Sequence, residues 1–189
     1  LIPVIVDVET TGFSPEHAQV IQIAAIAICK RGHEEFNSYA NPGAQHTFGQ
    51  SAESAMEFNG ITRGQVASAP STDEVSYKFK EWIRMLEDRE CDVVQYFAYN
   101  YQFDMRFLIK EPWCLDDSRW SAEDLMEMAR QLLCNSDVGY ATPNKPPKLS
   151  EAKAALDLRV PGMAHDALHD VRVSVLIFEE YGKFLREGL

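Results

Sequence analysis

A chain of 189 residues, 46% hydrophobic and 25% charged, has the size and composition of a single soluble domain, 1–189, with a full-sized core. Its net charge of −11 excludes a generic cationic coat for long duplexes, because phosphate neutralisation supplies most non-specific affinity for nucleic acid. No apolar run approaches the roughly 18–20 residues that span a bilayer, and Cys29, Cys91, Cys114 and Cys134 are too scattered for a zinc site or a disulfide framework, which points to reduced thiols in the cytoplasm.

The chain opens on Leu1-Ile2-Pro3-Val4, which has no basic n-region, no small-residue cleavage site and no initiator Met, so it reads as a trimmed chain without a secretory signal. Val4-Ile5-Val6-Asp7-Val8-Glu9-Thr10-Thr11-Gly12 predicts a buried, β-branched strand that breaks at the glycine. Alternate side chains of a strand share a face, so Asp7 and Glu9 point the same way, roughly 6–7 Å apart along the chain. Burial and mutual repulsion raise the pKa of such a pair. Two readings fit: the acids hold a hard divalent cation such as Mg²⁺ or Mn²⁺, or they spill from a strand end into solvent.

Phe13-Ser14-Pro15-Glu16-His17 is a turn-rich loop. Gln19 to Cys29 predicts a central strand, apolar on both faces, with Gln22 as the polar exception. Glu34 to Ala40 is a weaker third strand, which makes the opening an antiparallel meander. Residues 44–70 are polar and mixed, with a short helix expected around Ser51 to Phe58 and a loop at Phe58-Asn59-Gly60-Ile61-Thr62. Ser71 and Glu74 have capping-box spacing, and Val75, Phe79, Trp82, Ile83 and Leu86 follow at helical spacing, predicting an amphipathic helix over 73–88. Val93 to Ala98 is a strand. Asn100 is placed as the N-cap of the next helix, with Phe103, Phe107 and Leu108 on its apolar face and Pro112 as its stop. Ser121 is expected to cap a helix carrying Leu125, Met128, Ala129, Leu132 and Leu133. Residues 135–148, rich in Pro, Asn and Lys, read as a flexible loop or a substrate-edge loop. A short helix at Leu149 to Leu156, a turn at Arg159-Val160-Pro161-Gly162 and a long helix from about Asp166 to Arg186 complete the chain.

Asp104 falls in the first turn of the Asn100 helix and Asp170 in the first turns of the last helix, with His165 just before it. Either acid alone is explained by the favourable dipole at a helix N-terminus. Their order along the chain is more specific. Asp7-Val8-Glu9-Thr10-Thr11-Gly12, Asn100-Tyr101-Gln102-Phe103-Asp104 and His165-Asp166-Ala167-Leu168-His169-Asp170 together resemble the motifs of the DEDDh 3′-to-5′ exonucleases, a family that includes proofreading subunits of bacterial DNA polymerases. Asn59-Gly60-Ile61-Thr62 and Lys148-Leu149-Ser150 are further family-like stretches, so the resemblance runs across nearly the whole chain.

The resemblance implies a ribonuclease-H-like α/β fold, a mixed five-stranded sheet with three antiparallel strands first, flanked by helices. It implies that Asp7, Glu9, Asp104 and Asp170 hold two divalent cations, Mg²⁺ or Mn²⁺, that His165 is the general base, and that Glu9 also faces the attacking water. Thr10, Thr11, Gly12 and Phe13 would line the terminal nucleotide, with Ile61 near its base and Asn100 and Phe103 supporting the site. The implied reaction is hydrolysis of the phosphodiester at the 3′ end of DNA or RNA with release of nucleoside 5′-monophosphates. The residue types suit it: paired metal ions roughly 3.5–4 Å apart can activate water and stabilise a leaving oxygen, and a neutral imidazole can take the water's proton.

Side chains one apart on a helix diverge by about 100°, so His169 is expected to point away from Asp170, and His165 is preferred as the base. Tyr99 and Gln22 stand where many members show His and Glu, a departure that bears on substrate handling and on the hydrogen bonds behind the site. The rival reading is a non-catalytic nucleic-acid or protein-binding domain on the same fold; such a domain is expected to lose an acid or the histidine, and all are present here. The expected partner is a single-stranded or frayed 3′ end, DNA favoured over RNA, with a polymerase or a second copy as protein partner and no membrane. Lys145, Lys148, Lys153, Arg159 and Arg172 are either backbone contacts or ordinary surface charge.

Overall fold

The structure, a computed structural model, describes residues 1–44, 46, 48–135 and 145–187. The strands β1 (Ile2–Thr10), β2 (Val20–Cys29), β3 (Gly32–Tyr39) and β4 (Val94–Phe97) form one sheet in the order β3-β2-β1-β4. β1, β2 and β3 are an antiparallel meander, and β4 lies parallel to β1. Three helices, α1 (Gln50–Asn59), α2 (Arg63–Ser68) and α3 (Thr72–Glu90), connect β3 to β4. After β4 come α4 (Tyr101–Leu108), α5 (Leu125–Cys134), α6 (Leu149–Ala155) and α7 (Ala167–Glu187).

Alternation along β1 decides what covers each face. Val4, Val6 and Val8 share a core cluster with Val75, Phe79, Ile83 and Leu86 of α3. Ile5 shares the opposite cluster with Leu125 and Met128 of α5 and Val171, Val175 and Ile177 of α7. Asp7 and Glu9 continue the Ile5 row and therefore face α7. Each fully buried side chain of this kind stabilises by roughly 1.5–3 kcal/mol, so the strand bearing the acids is firmly held. In β2, Ala24 lies opposite Asp7 and Gln22 opposite Glu9. The single methyl of Ala24 leaves room around the Asp7 carboxylate. A register shift between Glu9 and Thr10 ends the regular ladder beside the acids.

Three expectations are corrected. The sheet has four strands among the described residues, not five. On the free edge of β4, Trp120 makes one isolated parallel bridge to Tyr96, and the Ser121 N–H donates to the Tyr96 carbonyl at 2.8 Å. Pairing goes no further because the Asp116 carboxylate accepts from both the N–H and the hydroxyl of Ser118 and turns Asp117–Arg119 into a 3₁₀ helix. Asp124, not Ser121, caps α5: it accepts the Met126 N–H at 2.9 Å, while Ser121 accepts from Glu123. A helix, α2, lies within the mixed region 44–70, where Thr62 and Gln65 form a reciprocal capping box. Most of the loop expected at 135–148, residues 136–144, lies outside the described residues. No helix among those described is long and apolar enough to cross a membrane.

Candidate active site

Three elements deliver the acids. β1 brings Asp7 and Glu9. α4 brings Asp104, which is 2% exposed and accepts the Val8 N–H on Oδ1 at 3.0 Å. That bond fastens α4 to β1, and it uses a backbone group of the residue between the two β1 acids. Asn100 occupies the cap position of α4 in a left-handed conformation (φ 64°), without a capping bond from its side chain. Its own N–H donates to Asp124 Oδ1 at 2.8 Å, so one carboxylate organises the starts of both α4 and α5. α7 brings Asp170, whose Oδ2 accepts the His165 N–H at 3.2 Å. His165 also has a positive φ of 64°, and its ring lies against Phe58 with centroids 4.1 Å apart.

Asp7, Glu9, Asp104, His165 and Asp170 line one cavity of about 860 Å³, with Phe58, Tyr99, Asn100 and Phe103 in its wall. One ligating atom each from Glu9, His165 and Asp170 fall within 4.8 Å of one another. Burial raises the carboxyl of Glu9 to about 9, with repulsion from Asp170 and Asp104 adding to it. Burial also raises Asp104 to about 8 against the opposing pull of the Val8 N–H. Asp7 is held well above the ordinary carboxylate range by burial, then by its neighbours Asp104 and Glu9. Asp170 is raised by burial, while the His165 N–H works the other way. A pocket that disfavours its own negative charge in this way, with hard oxygen donors, fits a divalent metal ion.

The residues expected around the terminal nucleotide divide. The Thr10 hydroxyl donates to the Gly12 carbonyl at 2.7 Å, and the Thr11 hydroxyl accepts the Gln19 N–H at 2.9 Å; both side chains are buried and brace the strand end. Phe13 is 87% exposed and meets Phe103 edge-on, centroids 6.5 Å apart. A second hollow of about 360 Å³ borders Glu9, Phe58 and Phe103 and is lined by Thr10, Gly12, Phe13 and Asn59. Ile61 is 4% exposed, packed with Ile21, Met56 and Val66, and does not line either hollow. Phe58, 67% exposed, lies over the site instead. Gly60, left-handed at φ 69°, turns the chain between the two. Helical phase carries this signal in the sequence: Ala52 and Met56 form the inward row of α1, and Phe58, two residues on, points the other way.

Several neighbours are engaged elsewhere. His169 borders the cavity beside Asp170, and both its ring nitrogens are engaged outside the acid cluster: Nδ1 faces the Pro161 carbonyl and Nε2 faces Lys153 Nζ, each at 3.1 Å. Gln22 Nε2 donates to Asp166 Oδ1 at 3.1 Å and its Oε1 accepts the Ala167 N–H at 3.4 Å, which ties β2 to the start of α7. The Tyr99 hydroxyl donates to the Pro147 carbonyl at 2.6 Å. Arg172 is paired with Glu35 and Arg159 with Asp157, whereas Lys148 lines the cavity.

The sequence profile of the RNase_T exonuclease family matches residues 4–178. The chain belongs to this exonuclease family. Among relatives of this exonuclease domain, the DNA polymerase III PolC-type of Bacillus cereus is 36% identical over 107 residues, 56% of the chain and 6% of that protein. The PolC-type polymerase of Oceanobacillus iheyensis is 34% identical over 134 residues, 69% of the chain and 8% of the relative. The chain thus spans only a small part of the length of these relatives. Cell-death related nuclease 4 shares its fold with a TM-score of 0.73 at 18% identity, covering 99% of this chain and 64% of the other. The nuclease domain of 3′hExo, a DEDDh family member bound to rAMP, gives 0.70 at 17% identity, with 99% and 92% covered. The zinc-bound complex of E. coli exonuclease I with single-stranded DNA gives 0.73 at 19% identity, with 99% and 41% covered. At these identities the likeness is one of fold: a mixed sheet flanked by helices.

Proposed function

We propose that this exonuclease domain hydrolyses a single-stranded or frayed strand from its 3′ end, DNA in preference to RNA, and releases nucleoside 5′-monophosphates. The observation that carries this reading is the convergence of Asp7, Glu9, Asp104, Asp170 and His165 on one cavity from three separate elements and the loop before α7. In this reading Asp7, Glu9, Asp104 and Asp170 hold two divalent cations, Mg²⁺ or Mn²⁺. Such ions, when bound, lower the pKa of water and neutralise charge on a phosphodiester and its leaving oxygen.

The chain's own groups do the rest. Glu9 faces the attacking water. His165 takes the water's proton on a ring nitrogen, and its exposed position lets that proton pass to solvent. Phe13 and Phe58 offer apolar faces to the terminal base, with Phe103 behind Phe13. Stacking of this kind needs a base free of its partner, which favours an unpaired end. The acidic balance also disfavours a tight grip on long duplexes. Similarity to PolC-type DNA polymerases supports a DNA end as substrate and work alongside a polymerase.

Oligonucleotides labelled at either end, as single-stranded DNA, mismatched duplex and RNA, test this with Mg²⁺, Mn²⁺ or EDTA. The 3′ label should leave at once as a mononucleotide, the 5′ label should remain on a shrinking ladder, and EDTA should stop both. Asp7→Ala should abolish the reaction in a folded protein, and His165→Ala should slow it by roughly 10²–10⁴. Release that begins at the 5′ end, or survives EDTA, would overturn the reading.

A further inference from the structure

We propose that Lys153 and His169 form a strap that positions the loop carrying His165, and so act as positioning residues for the reaction proposed above, on which this inference rests. The loop between α6 and α7 exposes every residue from Pro161 to His165. Exposed loops are where local opening concentrates, yet this one holds an imidazole that has to meet a water molecule at one place.

The loop is gripped from below. Lys153 Nζ, on α6, donates to the Val160 carbonyl at 3.1 Å and meets His169 Nε2 at 3.1 Å. His169, on the first turn of α7 and 4% exposed, directs Nδ1 at the Pro161 carbonyl, also at 3.1 Å. A carbonyl only accepts, so Nδ1 carries the proton and Nε2 is left to accept from the ammonium. One row of donors thus spans α6 and α7 and holds two successive carbonyls. Gly162 permits the close approach: at φ 122° it is left-handed, and a Cβ there would lie 2.8 Å from His169 Nδ1. Three residues later His165 turns the chain into α7 and donates its N–H to Asp170. Neither strap residue is assigned a part in the chemistry; each acts through the loop backbone.

Lys153→Met keeps the aliphatic stem and removes the donor. On single-stranded DNA with Mg²⁺, kcat should fall by roughly tenfold to a hundredfold, as expected when a reacting group is misplaced by about 1 Å, with KM within about twofold. In a His165→Ala background the same substitution should leave the residual rate unchanged, because no imidazole remains to be positioned. His169→Asn, which can still donate to Pro161, should retain more activity than His169→Ala. The His165 amide, bonded to Asp170, should exchange its hydrogen faster in metal-free Lys153→Met than in the parent. Exchange is blind to chemistry and separates the two failures: faster exchange in Lys153→Met, with His165→Ala as active as the parent, supports the strap and removes His165 as the base. Unchanged exchange and kcat would overturn the strap. So would an equal loss of rate in both backgrounds, or a rise in KM alone, which would assign Lys153 to the nucleic-acid backbone. If Lys153→Met does not fold, His169→Ala, which removes the donor to the Pro161 carbonyl, gives the same comparison of kcat, KM and exchange against His169→Asn, which keeps it.

Discussion

A buried carboxylate surrounded by others destabilises the fold that holds it, and Asp104 shows the conflict most clearly. It is 2% exposed, its carboxyl is raised to about 8, and its Oδ1 is needed by the Val8 N–H. Asn offers the same acceptor without the charge. Asp104→Asn should therefore raise metal-free stability at pH 8 by about 1–3 kcal/mol in denaturant unfolding while lowering the exonuclease rate by roughly a hundredfold or more. Equal or lower stability would show that the carboxylate is comfortable where it lies. Phe58 and Ile61 make the complementary pair. Phe58→Ala should raise KM by about tenfold, the scale of one lost base-stacking contact, with little change in stability because the ring is exposed. Ile61→Ala should instead remove about 2–4 kcal/mol of stability and leave KM alone, since the side chain fills the core with Met56 and Val66. A raised KM for Ile61→Ala at unchanged stability would place Ile61 at the substrate.

Elements are set in place by bonds that join their ends. Asp124 accepts the N–H of Asn100 before α4 and the N–H of Met126 inside α5. Asp124→Ala should lower stability by about 1–3 kcal/mol, more than one exposed cap, and should reduce activity because α4 carries Asp104. An effect on stability with an unaltered rate would show that α4 holds its place without this bond. The same cross-links explain what was legible in the sequence. Val4, Val6 and Val8, and the row Val75, Phe79, Ile83 and Leu86, declare their faces by period alone, so β1, β2 and α3 could be read directly. The five residues of the cavity could be listed from motif order. Asp124 could not, because its partners lie 24 residues upstream and two downstream with no shared pattern. α2 was readable in principle from Thr62 and Gln65, whose capping-box spacing is the same signal that marked Ser71 and Glu74. Among the described residues a fifth strand gives way to a local turn at Asp116, where side-chain bonds to Ser118 outcompete a ladder.

At the scale of the whole molecule, the raised acids couple folding to pH and to cations. Unfolded, Glu9 and Asp104 titrate near 4.5 and 3.8; folded, they titrate near 9 and 8. Between those limits the native state binds more protons than the unfolded chain, so stability falls as pH rises, by about 1.4 kcal/mol per pH unit for each proton held. Below about pH 4 that penalty is absent, and it is complete only above about pH 9. Surface acids held low by a basic partner, such as Glu35 beside Arg172, titrate under this window and do not shape it. A divalent cation favours the charged acids and so acts against the penalty. Thermal melts in EDTA should therefore show Tm falling from pH 5.5 to pH 8.5. Added Mg²⁺ should raise Tm only slightly at pH 5.5, where protons already neutralise the site, and by several degrees at pH 8.5. In Asp7→Asn the EDTA slope should flatten and the Mg²⁺ response should shrink together, because the same carboxylate is responsible for both. A metal-free Tm that climbs across this range, or a Mg²⁺ response that is equal at the two pH values, would show that these four acids do not share the electrostatic burden their geometry indicates.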